Sequence, residues 1–471
     1  MKSVEKGRFL TKKIRGVKKE KMNKENQGLK EKTNDGAKSI TLGFAIAAVL
    51  LVAAVGSASA DGTITDCGQP VNNSGLWTIA NDIINNTAPG THCIEIQADN
   101  VILDGRGHYV DGVSPGACAF ASQVKRSGIY ANGRTNVTVE DVEVRNFCNG
   151  IYFENVDYSK ISECCVHDNG NASATDGNKL NTNGIMLQNA DHCNVSKNNI
   201  YNNTGKTQGG CGDGGSGIRL QGESDYNNIT CNNITGNYLA GVFSKYWCQY
   251  NYIAYNYVHG NGHDVDPDPA WVGGGIRGEC KNSNHWDIEY NNVTANYGPG
   301  IFMRGHGNDI RYNTMRDNVN ATDNPAAVDP WAPEDWGAGT GIVSHRGTAG
   351  ADNTVYNNSA CNNEYYDIRD NNAHLNGDNN TCDTCSNYND EGKICCSYDC
   401  PGEVGCVAVD GTVFGCGDTV TKSCTFNENI SCAAGHGLII VAGNITIDGN
   451  GYIIDGVSPG ACDLWGGSDT E

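Results

Sequence analysis

Beyond residue 60 this 471-residue chain is short of positive charge, with 20 Lys/Arg against 49 Asp/Glu, a net charge of −29. Such a surface repels nucleic acid, and no stripe of Lys/Arg compensates for it, so nucleic acid is excluded as a partner. Long apolar runs are also lacking. The one candidate, residues 40–55, has 16 residues, where a membrane-spanning helix needs about 20. It follows a segment (1–38) with 13 Lys/Arg and 5 Asp/Glu, and runs into Ala58-Ser59-Ala60. A basic flank, a short apolar core and a small-residue end read as a secretory signal over residues 1–60, with an N-terminal anchor as the alternative. Hydrophobic residues make up only 38% of the chain, which leaves room for a thin core and no thick one.

What is abundant is cysteine, glycine and asparagine. All 22 cysteines follow residue 60, and in the oxidising compartment that a signal implies they read as disulfides. The dense group Cys382, Cys385, Cys395, Cys396, Cys400 and Cys406 lacks the histidine or second C-x-x-C of a zinc finger, so disulfides are favoured there over zinc. Fourteen Asn-x-Ser/Thr sequons, Asn136, Asn194, Asn292 and Asn444 among them, offer glycosylation sites.

Gly followed by Ile or Val recurs at Gly128, Gly150, Gly184, Gly217, Gly241, Gly275, Gly300 and Gly341. The short spacings lie near 22 residues, and the longer ones are 22 plus an insertion. Each Gly opens an alternating strand. A polar turn and a second strand follow (Asn136-Val137-Thr138-Val139, Asn228-Ile229-Thr230), then often a third beginning Asn-Ile or Asn-Val (Asn199, Asn233, Asn292). Three short strands per period predict one triangular coil of an all-β solenoid. Stacked coils pair through parallel ladders and share one apolar interior. Gly and Asn suit the bends because both tolerate left-handed backbone, and Asn at equivalent turns can stack into ladders. A propeller needs blades of about 40–50 residues, and a sandwich shows no fixed period.

These Gly-Ile-x-x-x-Asn and Asn-x-Ile-x-x-Asn-x-Ile coils resemble the right-handed parallel β-helix repeats of the pectate-lyase-like superfamily. The stretch from Asn100 to Gly112 (NVILDGRGHYVDG) is similar to the first coil of secreted, often archaeal, β-helix surface proteins. The resemblance covers about residues 90–375; it is specific for fold and weak for activity. Residues 92–118 and 436–462 match each other at 15 of 27 positions. The expected organisation is therefore a signal or anchor (1–60), a β-helix (61–375), a Cys-rich connector (376–410), and the start of a second copy (411–471).

Counting from each Gly as position 0, positions 1 and 3 point inward and positions 2 and 4 outward. Position 2 reads Tyr130, Tyr152, Met186, Arg219, Phe243, Arg277, Phe302, Val343; position 4 reads Asn132, Glu154, Gln188, Gln221, Lys245, Glu279, Arg304, His345. Insertions precede the Gly at 170–182, 205–216, 261–274 and 319–340, and so rise from one corner. Two of them bring Trp271, Trp331 and Trp336 with Asp264, Asp266, Asp268, Glu334 and Asp335. The solvent face is thus expected to bind a polysaccharide through Arg219, Phe243, Phe302 and the tryptophans, centred between Gly241 and Gly341.

Two chemistries fit that face. A lyase or epimerase would use Lys245, Arg277, Arg304 and His345, with Ca²⁺ on Asp264, Asp266 or Asp268. A glycoside hydrolase would pair Glu279 with Asp264, Glu334 or Asp335. Gly305-His306-Gly307 is similar to a hydrolase motif whose Asn-Thr-Asp and Asp-Asp partners are absent here. The third reading is a non-enzymatic adhesive or cell-envelope protein, secreted or at the cell surface. Cys248 and Cys280, in similar turns of neighbouring coils, are expected to staple the stack.

Overall fold

A computed structural model describes residues 62–84, 92–113, 127–170, 182–205, 214–262, 273–278, 283–319, 339–345, 353–371 and 375–390, and parts of 392–448 and 454–456. The signal or anchor and most of each insertion lie outside the described residues. Among those described there are strands and no helices, and three long sheets of 14, 12 and 10 strands. The chain visits them in a fixed order: Ser127–Asn132 in the twelve-stranded sheet, Val137–Glu140 in the fourteen-stranded sheet, Glu143–Arg145 in the ten-stranded sheet, then back to Asn149–Glu154. Every coil pairs in parallel with the next, which makes a parallel β-helix.

The interior is a set of aliphatic stacks. In the fourteen-stranded sheet Val139, Ile161, Val195, Ile229, Ile253, Ile288, Ile310 and Val355 are register partners, each at most 1% exposed. Branched side chains dominate because each wall is only two to six residues wide and a stiff χ1 packs best on a pleated surface.

The corners follow a second rule. A residue with left-handed backbone turns the chain, and the next residue sends an amide inward. After the ten-stranded sheet the inward residues are Asn169, Asn203, Asn237, Asn261, Asn296, Asn318 and Asn363, all buried. From Asn203 on, each Oδ1 accepts the backbone N–H and the Nδ2 of the asparagine one coil earlier, as where Asn261 meets Asn237 at 3.0 and 2.9 Å, while Asn169 at the head accepts the Phe147 N–H. After the fourteen-stranded sheet Asn232, Asn256, Asn291, Asn313, Asn358 and Asn380 do the same, in a ladder headed by Asn198, which accepts the Cys164 N–H. The last rung of each ladder is a carboxylate, Asp367 and Asp390 respectively. A carboxylate accepts without having a donor to place, so it ends a chain of amides.

The stack continues past the boundary drawn at residue 375. Asn376–Asp378 and Cys385–Ser386 extend two of the sheets, and the antiparallel pair Asn389–Asp390 and Lys393–Ile394 closes the fourteen-stranded one. The Cys-rich segment is thus the end of the solenoid, pinned by Cys361–Cys400, Cys382–Cys396 and Cys385–Cys395; Cys67–Cys93 pins its start. Cys248 corrects the expectation of a staple. It is a buried thiol outside any disulfide, its Sγ 3.3 Å from the Gly222 carbonyl. Cys280 lies outside the described residues.

The described parts of 412–456 repeat the opening coils. Thr419–Val420 pairs with Ile439–Ile440 as Pro70–Val71 pairs with Ile94–Ile96. Cys424–Phe426 pairs with Ile447–Asp448 as Gly75–Ile79 pairs with Val101–Asp104. Ile430–Cys432 pairs with Ile454–Gly456 as Ile83–Ile84 pairs with Tyr109–Asp111. Val420, Cys424 and Phe426 form their own small core.

Candidate functional site

The twelve-stranded sheet carries the outward rows in the expected register. Tyr130, Tyr152, Met186, Arg219, Phe243, Arg277, Phe302 and Val343 are successive rungs, and Arg369 continues the row. The second row aligns Asn132, Glu154, Gln188, Gln221 and Lys245, and pairs His345 with Asn371. The insertions leave the chain at one corner, between the ten-stranded and the twelve-stranded sheets.

Exposure differs from the expectation. Arg219, Phe243, Arg277 and Phe302 are buried, with at most 1% of their surface open. Rungs about 4.8 Å apart let a guanidinium sit over the ring one coil on: Arg219 over Phe243 at 5.2 Å and Arg277 over Phe302 at 4.7 Å. Arg277 also donates to the Gly273 carbonyl at 3.4 Å, and Phe243 packs with Leu239 and Ala240 in a cluster separate from the interior. These four side chains form a closed cation–aromatic stack, not an open binding surface. Lys245 and His345 are also nearly buried, whereas Arg304 is half-buried. Glu279, Trp271, Trp331, Trp336, Asp264, Asp266, Asp268, Glu334 and Asp335 lie outside the described residues.

The partly exposed side chains of the face, Tyr130, Glu154, Gln188 and Gln221, lie in its amino-terminal half, with Tyr152 and Met186 buried beside them. Tyr130 donates to Glu154 Oε2 at 2.5 Å, Gln188 Nε2 donates to Glu154 Oε1 at 3.5 Å, and Tyr152 donates to Gln188 Oε1 at 2.8 Å. Glu95, exposed, is the register partner of Tyr130. The His92 ring stacks on Tyr130 at 3.9 Å, and its Nδ1 accepts the Ser127 N–H at 3.2 Å. Burial lowers the His92 pKa, so the ring is neutral with its proton on Nε2. Burial, followed by the bond to Glu154, raises the Tyr130 phenol well above its ordinary value, which makes it a hydrogen-bond donor rather than a base. His92 and Glu95 escape a search anchored on Gly because the first coil opens on Cys93-Ile94 instead. The alternation Ile94-Glu95-Ile96 is the signal that would have found them.

A different pattern runs along the corner that follows this sheet. Asp157, Asp191 and Asp225 stack as a carboxylate ladder, each accepting the next rung's backbone N–H. Beside them Tyr158, His192, Tyr226, Tyr250 and His285, all exposed with left-handed backbone, stack ring on ring at 4.7–5.0 Å. Burial raises the Asp191 carboxyl, and Asp157 adds to it. A carboxyl whose folded pKa exceeds its unfolded value makes the charged folded state less stable. That cost is absent below the ordinary carboxylate range and sets in as pH rises through the raised value. Asp191→Asn keeps the acceptor for Asp225. It is therefore expected to raise stability at pH 7.5 by less than about 1 kcal/mol, with the gain gone at pH near 3.5. Thermal melts at the two pH values measure this; a gain that persists in acid would contradict the assignment.

Among the described residues the one group of cysteine, histidine or acidic side chains close enough to hold a metal is Cys382, Cys395 and Cys396, and these are drawn together by their disulfides. No curated protein matches the sequence at a significant level. Among solved structures, the chain is similar to a Dettilon tailspike protein (16% identity, TM-score 0.46, 72% of this chain and 60% of that one). It is also similar to a mannuronan C-5 epimerase module of Azotobacter vinelandii (14%, 0.46, 72% and 86%) and to a DFA-IIIase of Arthrobacter chlorophenolicus A6 (14%, 0.44, 64% and 69%). The model of the right-handed β-helix region matches twice, over residues 70–261 and 183–381. Those matches span the coils, ladders and corners described above, and the chain belongs to the right-handed β-helix family.

Proposed function

We propose that this protein binds an acidic polysaccharide along the second outward row of the twelve-stranded sheet. The observation that carries the reading is the network in which Tyr130 and Gln188 hold Glu154, backed by the buried Tyr152 and continued in register by Gln221. Phenols, amides and a carboxylate held in fixed geometry suit the hydroxyls of successive sugars. Arg304, on the basic half of the row, would engage a uronate carboxylate through a charge-assisted hydrogen bond. Disulfides at both ends of the solenoid fit a secreted or surface location. Catalysis by Lys245, Arg304 or His345, with Ca²⁺ on Asp264, Asp266 or Asp268, is the finer form of the same reading.

The test is incubation of the purified protein with neutral and uronate-containing glycans, with Ca²⁺ or with a chelator. Binding, unsaturated-product absorbance and new reducing ends are followed together. Binding of uronate chains is the expected result. Turnover would add an enzyme, and Ca²⁺-dependent turnover the metal. Indifference to every glycan would overturn the proposal in favour of a second reading, a cell-envelope protein of tandem β-helices. That reading is favoured by the paired strands of 419–456, which repeat the opening coils.

A further inference from the structure

The exposed corners carry tyrosines in a geometry that the glycan reading does not use. After the fourteen-stranded sheet Tyr255, Tyr290 and Tyr312 occupy the left-handed turn position of three consecutive coils. Their rings stack at 5.0 and 4.9 Å, within 5° of parallel. At the other corner Tyr226 and Tyr250 stack at 4.9 Å and 4°. Tyr226, Tyr250, Tyr290 and Tyr312 are each 44–47% exposed. A bulky aromatic gains nothing from left-handed backbone, where Asn and Gly sit more easily. In this fold the position is repeated every coil, so one ring is always within reach of the next.

We infer that these ladders are sites of oxidative dityrosine formation, joining consecutive coils through a carbon–carbon bond. The co-reactant is hydrogen peroxide acting through a haem peroxidase. Each of two stacked phenols gives up one electron and one proton, and the two phenoxyl radicals couple at their ortho carbons. The rings regain aromaticity by moving the ortho hydrogens to the oxygens, while the peroxide is reduced to two waters. The protein loses two hydrogen atoms per link. The outer rims of the rings face solvent, so two neighbours can tilt together without disturbing the buried asparagine beneath each of them. The products would be Tyr226–Tyr250 and Tyr290 joined to Tyr255 or Tyr312, links that reduction does not break.

Exposure alone predicts a different pattern, and this makes the idea testable. Tyr158 is more exposed, at 62%, but its stacked neighbour is His192, at 4.7 Å. The full chain at low concentration would be treated with peroxide and peroxidase, then digested and mapped by mass spectrometry. The expected result is intramolecular Tyr226–Tyr250 and Tyr290-containing links, the blue dityrosine emission, a monomeric product and a higher thermal midpoint. Tyr290→Phe should abolish the Tyr255/Tyr290/Tyr312 links and leave Tyr226–Tyr250 intact; Tyr250→Phe should do the reverse. Links dominated by Tyr158, links mainly between molecules, or no dityrosine under conditions that cross-link free tyrosine would each overturn the inference.

Discussion

Asn291→Ala is expected to destabilise the solenoid by about 2–5 kcal/mol, far more than its exposed neighbour in the same turn. The Asn291 Oδ1 accepts the Asn256 N–H at 3.0 Å and the Asn256 Nδ2 at 2.9 Å. Its own Nδ2 donates to the Ile253 carbonyl at 2.8 Å and to Asn313 Oδ1 at 2.9 Å. Alanine leaves a buried N–H and a buried carbonyl each short of a partner, at about 1–3 kcal/mol apiece. Asn291→Asp should fail as well, because a mid-ladder carboxylate has no proton to pass to Asn313. Tyr290→Asn is the internal control: Asn already occupies this turn position at Asn357, with left-handed backbone, so a change within about 0.5 kcal/mol is expected. Urea unfolding of the three variants measures the contrast. Each coil touches chiefly its neighbours, so a broken rung is also expected to split the transition. Equal effects at Asn291 and Tyr290 would contradict the ladder account.

Gly275→Ala is the second large effect, about 3 kcal/mol. A Cβ at this residue would lie 2.4 Å from Val293 Cγ1 and 2.5 Å from the Gly300 carbonyl oxygen. The oxygen belongs to the next coil's backbone and cannot swing aside, so the two coils must separate locally. Overpacking of this kind costs about 1–3 kcal/mol, occasionally more. Gly275 also opens the strand that carries Arg277 over Phe302, so the cation–aromatic stack should loosen with it. At Gly260 a Cβ would meet nothing within 4 Å, and the φ of 62° is one that Asn146 adopts at the same corner. Gly260→Asn is therefore expected to be tolerated. Thermal unfolding and near-UV spectra of the two variants measure this, and a tolerated Gly275→Ala would show that the recurring glycine answers to something other than coil spacing.

Much of this architecture could be read from the sequence because a solenoid repeats its local rules. The 22-residue period placed the first outward row in correct register, and the second from Asn132 to Lys245, including the pairing of Arg219 with Phe243 and of Gln221 with Lys245. It also located the corner from which the insertions rise. Period-two alternation says which side of a sheet a residue faces; it does not say whether that side is covered. For this reason Arg219, Phe243, Arg277 and Phe302 point outward as expected and are nevertheless buried. His92 and Glu95 were missed because the first coil lacks the glycine that anchors the repeat. The aromatic ladders were missed because their residues sit in turns, where neither strand nor helix periodicity applies. Cys248 was misjudged since similar turn positions do not fix where a side chain points.

The central claim, that a glycan lies along the second outward row, is tested most directly by titrating a uronate oligosaccharide into the wild type, Gln188→Ala and Arg304→Ala. A lost neutral hydrogen bond is worth about 0.5–1.5 kcal/mol and a charged one about 1.5–3. Gln188→Ala should therefore weaken binding about fivefold, and Arg304→Ala at least about tenfold, the latter only for chains that carry carboxylates. Affinities that are unchanged in both variants would place the glycan elsewhere and contradict the account.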